Sequence, residues 1–257
     1  MSGSAPTRRS LSSLALEGLV ILASIHGAFF LEGWGADREL ERDLEQELES
    51  VYRELESNLE IVQAELAVLD RVTAAASALI GELHANPAAR TVSTVDTIAV
   101  LGTSWSPTID PSLGAVQALI GSGRLAQVTN PLLRQGLAGL GDEFEDAREE
   151  QLLARAVFTD QIFPLTYDRL DYRFVGNLMD DLAGRGDSDA FSQEEMAEQP
   201  LPSRGTLDFP NTLEIRNALE LRRQWYVTAS GELAELETQL VTLMKIMSGE
   251  LGPGGAE

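Results

Sequence analysis

The chain contains no cysteine. Disulfides, thiolate metal sites and cysteine nucleophiles are therefore excluded, and a domain of this length must be held by its core alone. Histidine is almost as scarce, with His26 and His84 the two present. They form no i, i+4 pair, HExxH is missing, and so is the Glu-x-x-His of di-metal carboxylate bundles. No G-x-S-x-G, Walker loop or dinucleotide fingerprint occurs. The sequence therefore reads as a non-enzyme, with no catalytic residue and no metal ligand to name. Positive charge is short as well. Nineteen Lys and Arg face 41 Asp and Glu, for a net charge of −22. That lacks the basic footprint of a nucleic-acid binder and disfavours adsorption on anionic lipid. Aromatics make up only 6%, and the abundance of Leu, Ala and Glu leans helical.

What is present begins with a single long apolar run, Leu11 to Leu31, LSSLALEGLVILASIHGAFFL. About 21 residues at about 1.5 Å each span roughly 30 Å, the thickness of a bilayer's hydrocarbon core. No proline interrupts it, and Trp34 follows at the depth of an interfacial aromatic anchor. A cleavable signal is the rival reading, because Arg8 and Arg9 precede the run and Thr7-Arg8-Arg9-Ser10-Leu11 resembles a twin-arginine signal. No small-x-small site ends the run, however, and Phe29-Phe30-Leu31 leads straight into a helical pattern. The expectation is an uncleaved transmembrane helix. Arg8 and Arg9 lie before it, whereas Arg38 and Arg42 lie diluted among acidic residues after it. The bias favours a cytoplasmic N-terminus with the bulk exported.

Two residues of the run are costly in hydrocarbon, Glu17 and His26. Nine positions separate them, about 900° of helical turn, so they point to opposite faces. Ser24 and Ala28 share the Glu17 face, a small and polar stripe suited to close helix contact. The plain reading puts Glu17 near the cytoplasmic interface and packs a neutral His26 against a neighbour. The sharper one has both faces meeting other transmembrane helices, with this helix wedged inside an assembly.

The rest of the chain reads as helices. Residues 1–10 form a polar arm, 11–35 the anchor, 36–248 a helical bundle and 249–257 a flexible tail. After the anchor, Leu40, Leu44, Leu48, Val51, Leu55, Leu59, Val62, Leu66 and Leu69 recur at three- and four-residue steps. Extra fours in that series fit a bundle helix better than a strict heptad. Gly33 and Gly35 allow a bend at the membrane surface, and His84-Ala-Asn-Pro87 closes the helix. Segment 91–101 is β-branched but has no evident strand partner, so it reads as a helix or an extended crossing. Residues 104–114 form a loop punctuated by Pro107 and Pro111, and Ser112 is expected to cap a short helix ending at Gly121 or Gly123. Asn130-Pro131 opens a helix with apolar positions Leu133, Leu137, Leu140, Phe144, Ala147, Leu152 and Val157. It is expected to continue past a kink near Pro164. Residues 184–210 read as an acidic surface loop, whose Arg-Gly-Asp at 185–187 is a chance tripeptide. Asn211 is expected to cap a last long helix, with Leu213, Leu219, Trp225, Leu233, Leu236, Leu240, Leu243 and Ile246 inward, ending before Gly249. The fold class is all-α, an N-terminal transmembrane helix continuing into a long-helix bundle.

These elements resemble an uncharacterised bacterial family of single-pass membrane-anchored helical proteins, a domain of unknown function. The residues that carry the likeness are Glu17-Gly18, Trp34-Gly-Ala-Asp-Arg38, Glu45 to Asn58, Ala118-Leu-Ile-Gly-Ser-Gly-Arg-Leu125, Asn130-Pro-Leu-Leu-Arg134 and Ile215-Arg-Asn-Ala-Leu219. The resemblance implies a helical fold with one membrane pass, and no activity. The resulting expectation is an accessory or scaffold subunit in a bacterial inner membrane, with its bundle in the periplasm. Its partners are the membrane and other transmembrane helices of a complex, or further copies of itself, and it needs no cofactor. Two alternatives stand beside it. His26 with Trp34 downstream is similar to a light-harvesting antenna helix, which would make His26 the ligand of a haem or chlorophyll-type pigment, although Leu22 stands where a small residue is expected. A membrane-anchored sensor transmitting through the long helix is the other.

Overall fold

A computed structural model describes residues 11–171, 175 and 205–251. Within the first helix, side chains are described at 22, 24, 26, 34, 38–40 and from 42 onward. That helix, α1, runs unbroken over 75 residues, Leu11–Ala85, and is about 110 Å long. It passes Gly33 and Gly35 without interruption. Among the described residues no helix is long and apolar enough to cross a membrane. Of the Leu11–Leu31 side chains only Leu22, Ser24 and His26 are described, so the anchor expected there lies largely outside them.

From Leu48 on, α1 buries one face with the spacing 48, 51, 55, 58, 62, 65, 69, 72, 76, 79, 83. Steps of three and four alternate along this series, so the buried stripe follows a heptad, contrary to the sequence expectation, with Val68, Ala75 and Ile80 buried beside it. The expected stripe included Leu59 and Leu66, which are only partly buried; Asn58 and Glu65 take the core positions beside them. Leu40, also expected inside, is 48% exposed.

After α1 come β1 (Thr91–Val95), α2 (Asp96–Thr103), α3 (Gly114–Gly121), a 3-10 turn (Arg124–Gln127) and α4 (Pro131–Val157). A π-helical turn (Phe158–Ile162), α5 (Phe163–Thr166), β2 (Thr206–Pro210) and α6 (Leu213–Leu251) complete the order. The helix expected beyond the kink thus closes after one turn at Thr166, and its remainder lies mostly outside the described residues. Helix α6 extends past the expected stop at Gly249.

Helix α6 packs lengthwise on both α1 and α4. Gln63 donates to Glu237 and Asn211 to the Leu83 carbonyl, while Arg222 donates to the Ala154 carbonyl, so both pairs are antiparallel. On α6 the buried positions Ile215, Leu219, Arg222, Tyr226, Ala229, Leu233, Leu236, Leu240, Leu243 and Met247 again alternate threes and fours. On α4 the series is Leu133, Leu137, Leu140, Phe144, Ala147, Gln151, Ala154. Leu152 and Leu213 fall off these stripes and are exposed, against expectation, while Trp225 and Ile246 are only partly buried. The fourth side of the bundle is not a long helix. It is the broken run α2, an extended segment and α3, whose Ile109, Val116 and Leu119 join the main core. At Gly102 of α2, a Cβ would come within 3.0 Å of the Ala76 backbone, so only glycine allows α2 to lie this close to α1.

The β-branched segment 91–95 is a strand after all. Its partner is β2, with Thr91 opposite Pro210 and Val95 opposite Thr206 in antiparallel register. The last five residues of the expected acidic loop supply that partner, and Val92 and Phe209 turn inward onto a second core with Leu79, Leu83 and Ile215. The ribbon delivers Asn211 to the C-terminus of α1, where its amide donates to the carbonyls of Leu83 at 3.1 Å and Asn86 at 2.8 Å. Asn211 therefore serves the end of α1. The cap of α6 is Thr212, whose hydroxyl accepts from the Ile215 amide. Asn130 does cap α4, accepting from the Leu132 and Leu133 amides, with Pro131 in the first turn.

Candidate functional site: an internal polar clamp and a projecting helix

An extended segment packed against a helical bundle, with Ser104 and Ile109 buried, faces a backbone problem, because each buried amide and carbonyl needs a partner. Segment 104–112 solves it with Pro107 and Pro111, which have no amide hydrogen, and with polar residues at heptad positions of all three long helices. Asn58 of α1 makes a reciprocal pair with Ser112, donating to its carbonyl at 2.6 Å and accepting from its amide at 2.9 Å. Gln151 of α4 accepts from the Ile109 amide at 2.7 Å and donates to Glu65 of α1 at 2.8 Å. Arg222 of α6 donates to the carbonyls of Trp105 and Ala154 and to the Ser106 hydroxyl. Tyr226 adds a bond to the same Trp105 carbonyl at 3.1 Å.

Arg222 is fully buried and its cationic head is held by carbonyl dipoles and rings rather than by a carboxylate. Its guanidinium carbon lies 4.9 Å from the Tyr226 ring centre and 5.8 Å from that of Phe158, the first residue of the π turn. Burial depresses its pKa, and burial raises that of Tyr226. Burial also pushes the Glu65 carboxyl up to about 7, against the smaller pull of the Gln151 hydrogen bond.

A second carboxylate, Glu54, organises the end of this segment. Its Oε1 accepts from the Ser112 hydroxyl at 3.1 Å and the Ala115 amide at 2.9 Å, and its Oε2 from the Val116 amide at 2.9 Å. Helix α3 is thus capped from α1, and the expected cap Ser112 is instead a donor to Glu54. A carboxylate at free N-terminal amides is favoured by both hydrogen bonding and the helix dipole.

The residues singled out from the sequence lie elsewhere, on the part of α1 that extends beyond the bundle. Ser24, His26 and Trp34 are exposed there, as is Leu22. His26 Nδ1 lies 3.0 Å from the Leu22 carbonyl, which leaves Nε2 directed outward. Arg38 stacks over the Trp34 ring at 4.1 Å. The side chains of Glu17 and Ala28 lie outside the described residues. The structure therefore brings none of these five to the clamp. Sequence reading missed the clamp residues because Asn58, Glu65, Gln151 and Arg222 each look like members of a solvated face. The available signal was that they complete unbroken heptads when counted as core.

A shallow apolar depression of about 310 Å³ lies between α1 and α2, lined by Arg71, Ala74, Ala75, Ala78, Ile98 and Leu101. It gathers no acid, base or nucleophile pair. Among the described residues no set of three His, Cys, Asp or Glu is placed to hold a metal ion. Comparison with protein family models, curated proteins and solved structures yields no match to this chain.

Proposed function

We propose that this chain is a non-enzymatic single-pass membrane protein, an accessory or scaffold subunit that holds a helical bundle beside a larger membrane complex. The observation that carries this reading is the continuity of α1. It runs from Leu11 to Ala85 in one helix, whereas burial in the bundle begins only near Leu48. A helical arm of more than thirty residues is thereby held out from the bundle, and the long apolar run lies at its far end. With Trp34 and Arg38 at the interface, the bundle stands about 20 Å from the bilayer, at about 1.5 Å per residue. The Lys and Arg bias favours a cytoplasmic N-terminus and a periplasmic bundle in a bacterial inner membrane. This topology agrees with the family resemblance noted from the sequence. Other transmembrane helices of the complex are the proposed partners of Glu17, Ser24, His26 and Ala28, with self-association the simpler variant.

One observation favours a second reading, pigment or haem ligation by His26. The Nδ1 contact with the Leu22 carbonyl is the kind of backbone bond that fixes the tautomer of a ligating imidazole.

Gentle-detergent purification from native membranes, with composition and absorbance read on the same fraction, tests both. A discrete large complex without colour is the expected result. A lone, colourless protein overturns the subunit reading in favour of a self-associating anchor or sensor, and co-migrating pigment moves the assignment to His26. Recovery in the aqueous phase after alkaline extraction sinks the anchor itself.

A further inference from the structure

Glu150 and Gln151 are consecutive residues near the C-terminal end of α4, and each meets a carboxyl from a different helix. Gln151 points into the core and bonds Glu65 of α1 at 2.8 Å. Glu150 turns toward α6, where the carboxyl of Glu232 lies within hydrogen-bonding reach. Glu150 and Glu232 each carry one buried oxygen, Oε2, that no donor satisfies. Two carboxylates in that position repel, whereas one shared proton between them satisfies both. Gln151 also holds the Ile109 amide at 2.7 Å, so the same point of α4 secures segment 104–112.

We infer that α4 is held at Glu150–Gln151 by a proton-dependent latch. A protonated Glu65 and the proton shared by Glu150 and Glu232 close it, and loss of these protons loosens α4 together with segment 104–112.

Burial favours the protonated form of both carboxyls, against the smaller pull of the Gln151 hydrogen bond on Glu65. The groups acting on Glu232 are Glu150 and Asp146 from α4 and Glu235 from its own helix, all carboxylates. Tyr226 of α6 faces Glu65, and Arg222 of α6 and Arg155 of α4 act on Tyr226 in turn. Segment 104–112 adds only Asp110, which is exposed. Glu65 is raised to about 7 by burial, and Glu232 to about 7 by burial and then by its hydrogen bond and repulsion with Glu150. Their ordinary value is 4.5. A carboxyl with a raised folded pKa costs nothing below its unfolded value. Its penalty grows as pH climbs from 4.5 to about 7 and is constant above that. The latch is therefore closed in mild acid and loosens as pH climbs from 4.5 to about 7, where ionisation of both carboxyls brings the chain to its full formal charge of −22. This inference does not depend on the membrane reading.

Hydrogen exchange of the full chain in detergent micelles, followed from about pH 5.5 to 8.5 and corrected for intrinsic rates, tests it. The opening constant of the Ile109 and Ser112 amides should rise up to about tenfold per pH unit for each proton released below about pH 7, and level off above it. The double variant Glu65→Gln with Glu232→Gln keeps the shapes and removes both protons, and its profile should be flat. Should that variant fail to fold, Glu232→Gln alone should lower the slope by one proton. A pH-independent opening in the natural chain, or an unchanged slope in either variant, overturns the latch.

Discussion

Helix α1 contains two stretches that differ in what surrounds them. From Leu48 to Leu83 it buries a heptad stripe against α6, α2 and α3. Before Asp43 every described side chain is exposed, including Leu22, Trp34 and Leu40. Isolated helices gain little from propensity, and most helical stability in proteins comes from packing an apolar face. The bundled stretch satisfies that rule within the chain. The projecting one does not, and on the proposed reading lipid or another helix covers its apolar run. The polar residues divide the same way. Inside the bundle, Asn58, Glu65, Gln151 and Arg222 bond the chain's own backbone and side chains, with Arg222 Nε alone of the guanidinium nitrogens left without a partner. On the arm, His26 reaches no other element among the described residues and bonds its own helix at Leu22.

The contrast predicts that polar substitutions in the clamp damage the fold while those on the arm do not. The largest effect is expected from Arg222→Leu. It removes three hydrogen bonds, to the Trp105 and Ala154 carbonyls and the Ser106 hydroxyl, while the Tyr226 hydroxyl and the Phe158 amide still serve those two carbonyls. The loss is about 3 kcal/mol, at about 1 kcal/mol per hydrogen bond. Chemical denaturation of the full chain in micelles should register it, and an unchanged midpoint would break the division between clamp and arm. Glu54→Ala should cost less, about 1–2 kcal/mol, the usual range for a lost helix cap. Its exchange signature is local. The Ala115 and Val116 amides should lose protection before the α1–α6 pairing does, and uniform loss along the bundle would assign Glu54 some other role.

Much of this fold was legible because helices advertise themselves through period. The three long helices, the Asn130-Pro131 start of α4 and the stop before Pro87 follow from spacing and from cap and proline chemistry. The errors share one cause. Reading apolar residues as the core placed Leu59 and Leu66 inside and Asn58 and Glu65 outside, and with that the heptad was lost. An extended segment packed against the core inverts the usual rule, since its backbone demands polar partners at core positions. Strand β1 was missed for a related reason: its partner, TLDFP, lies more than a hundred residues away at the end of a stretch otherwise rich in loop signals. Asn211 and Ser112 are good capping types, but tertiary contacts gave each another task. Nothing local in the sequence distinguishes a residue that caps its own helix from one that closes a distant one.

The smallest effect on stability is expected where the functional consequence is greatest. Among the described residues His26 bonds only its own helix, at Leu22, so His26→Leu removes no described contact with the bundle. The thermal midpoint should stay within about 1 °C, since an exposed substitution away from packing is worth at most about 0.5 kcal/mol. Glu17→Leu should behave alike if the run is an anchor, because each change makes the run more apolar and eases insertion. What should fall is the amount of partner protein recovered with the purified chain. The pair thus separates the two stretches of α1 in one experiment, with circular dichroism reporting on the bundle and co-purification on the arm. Unchanged co-purification after both substitutions would show that neither polar face of the arm touches another helix. The arm would then be an anchor alone, and whatever the bundle recognises would have to be sought on its own surface.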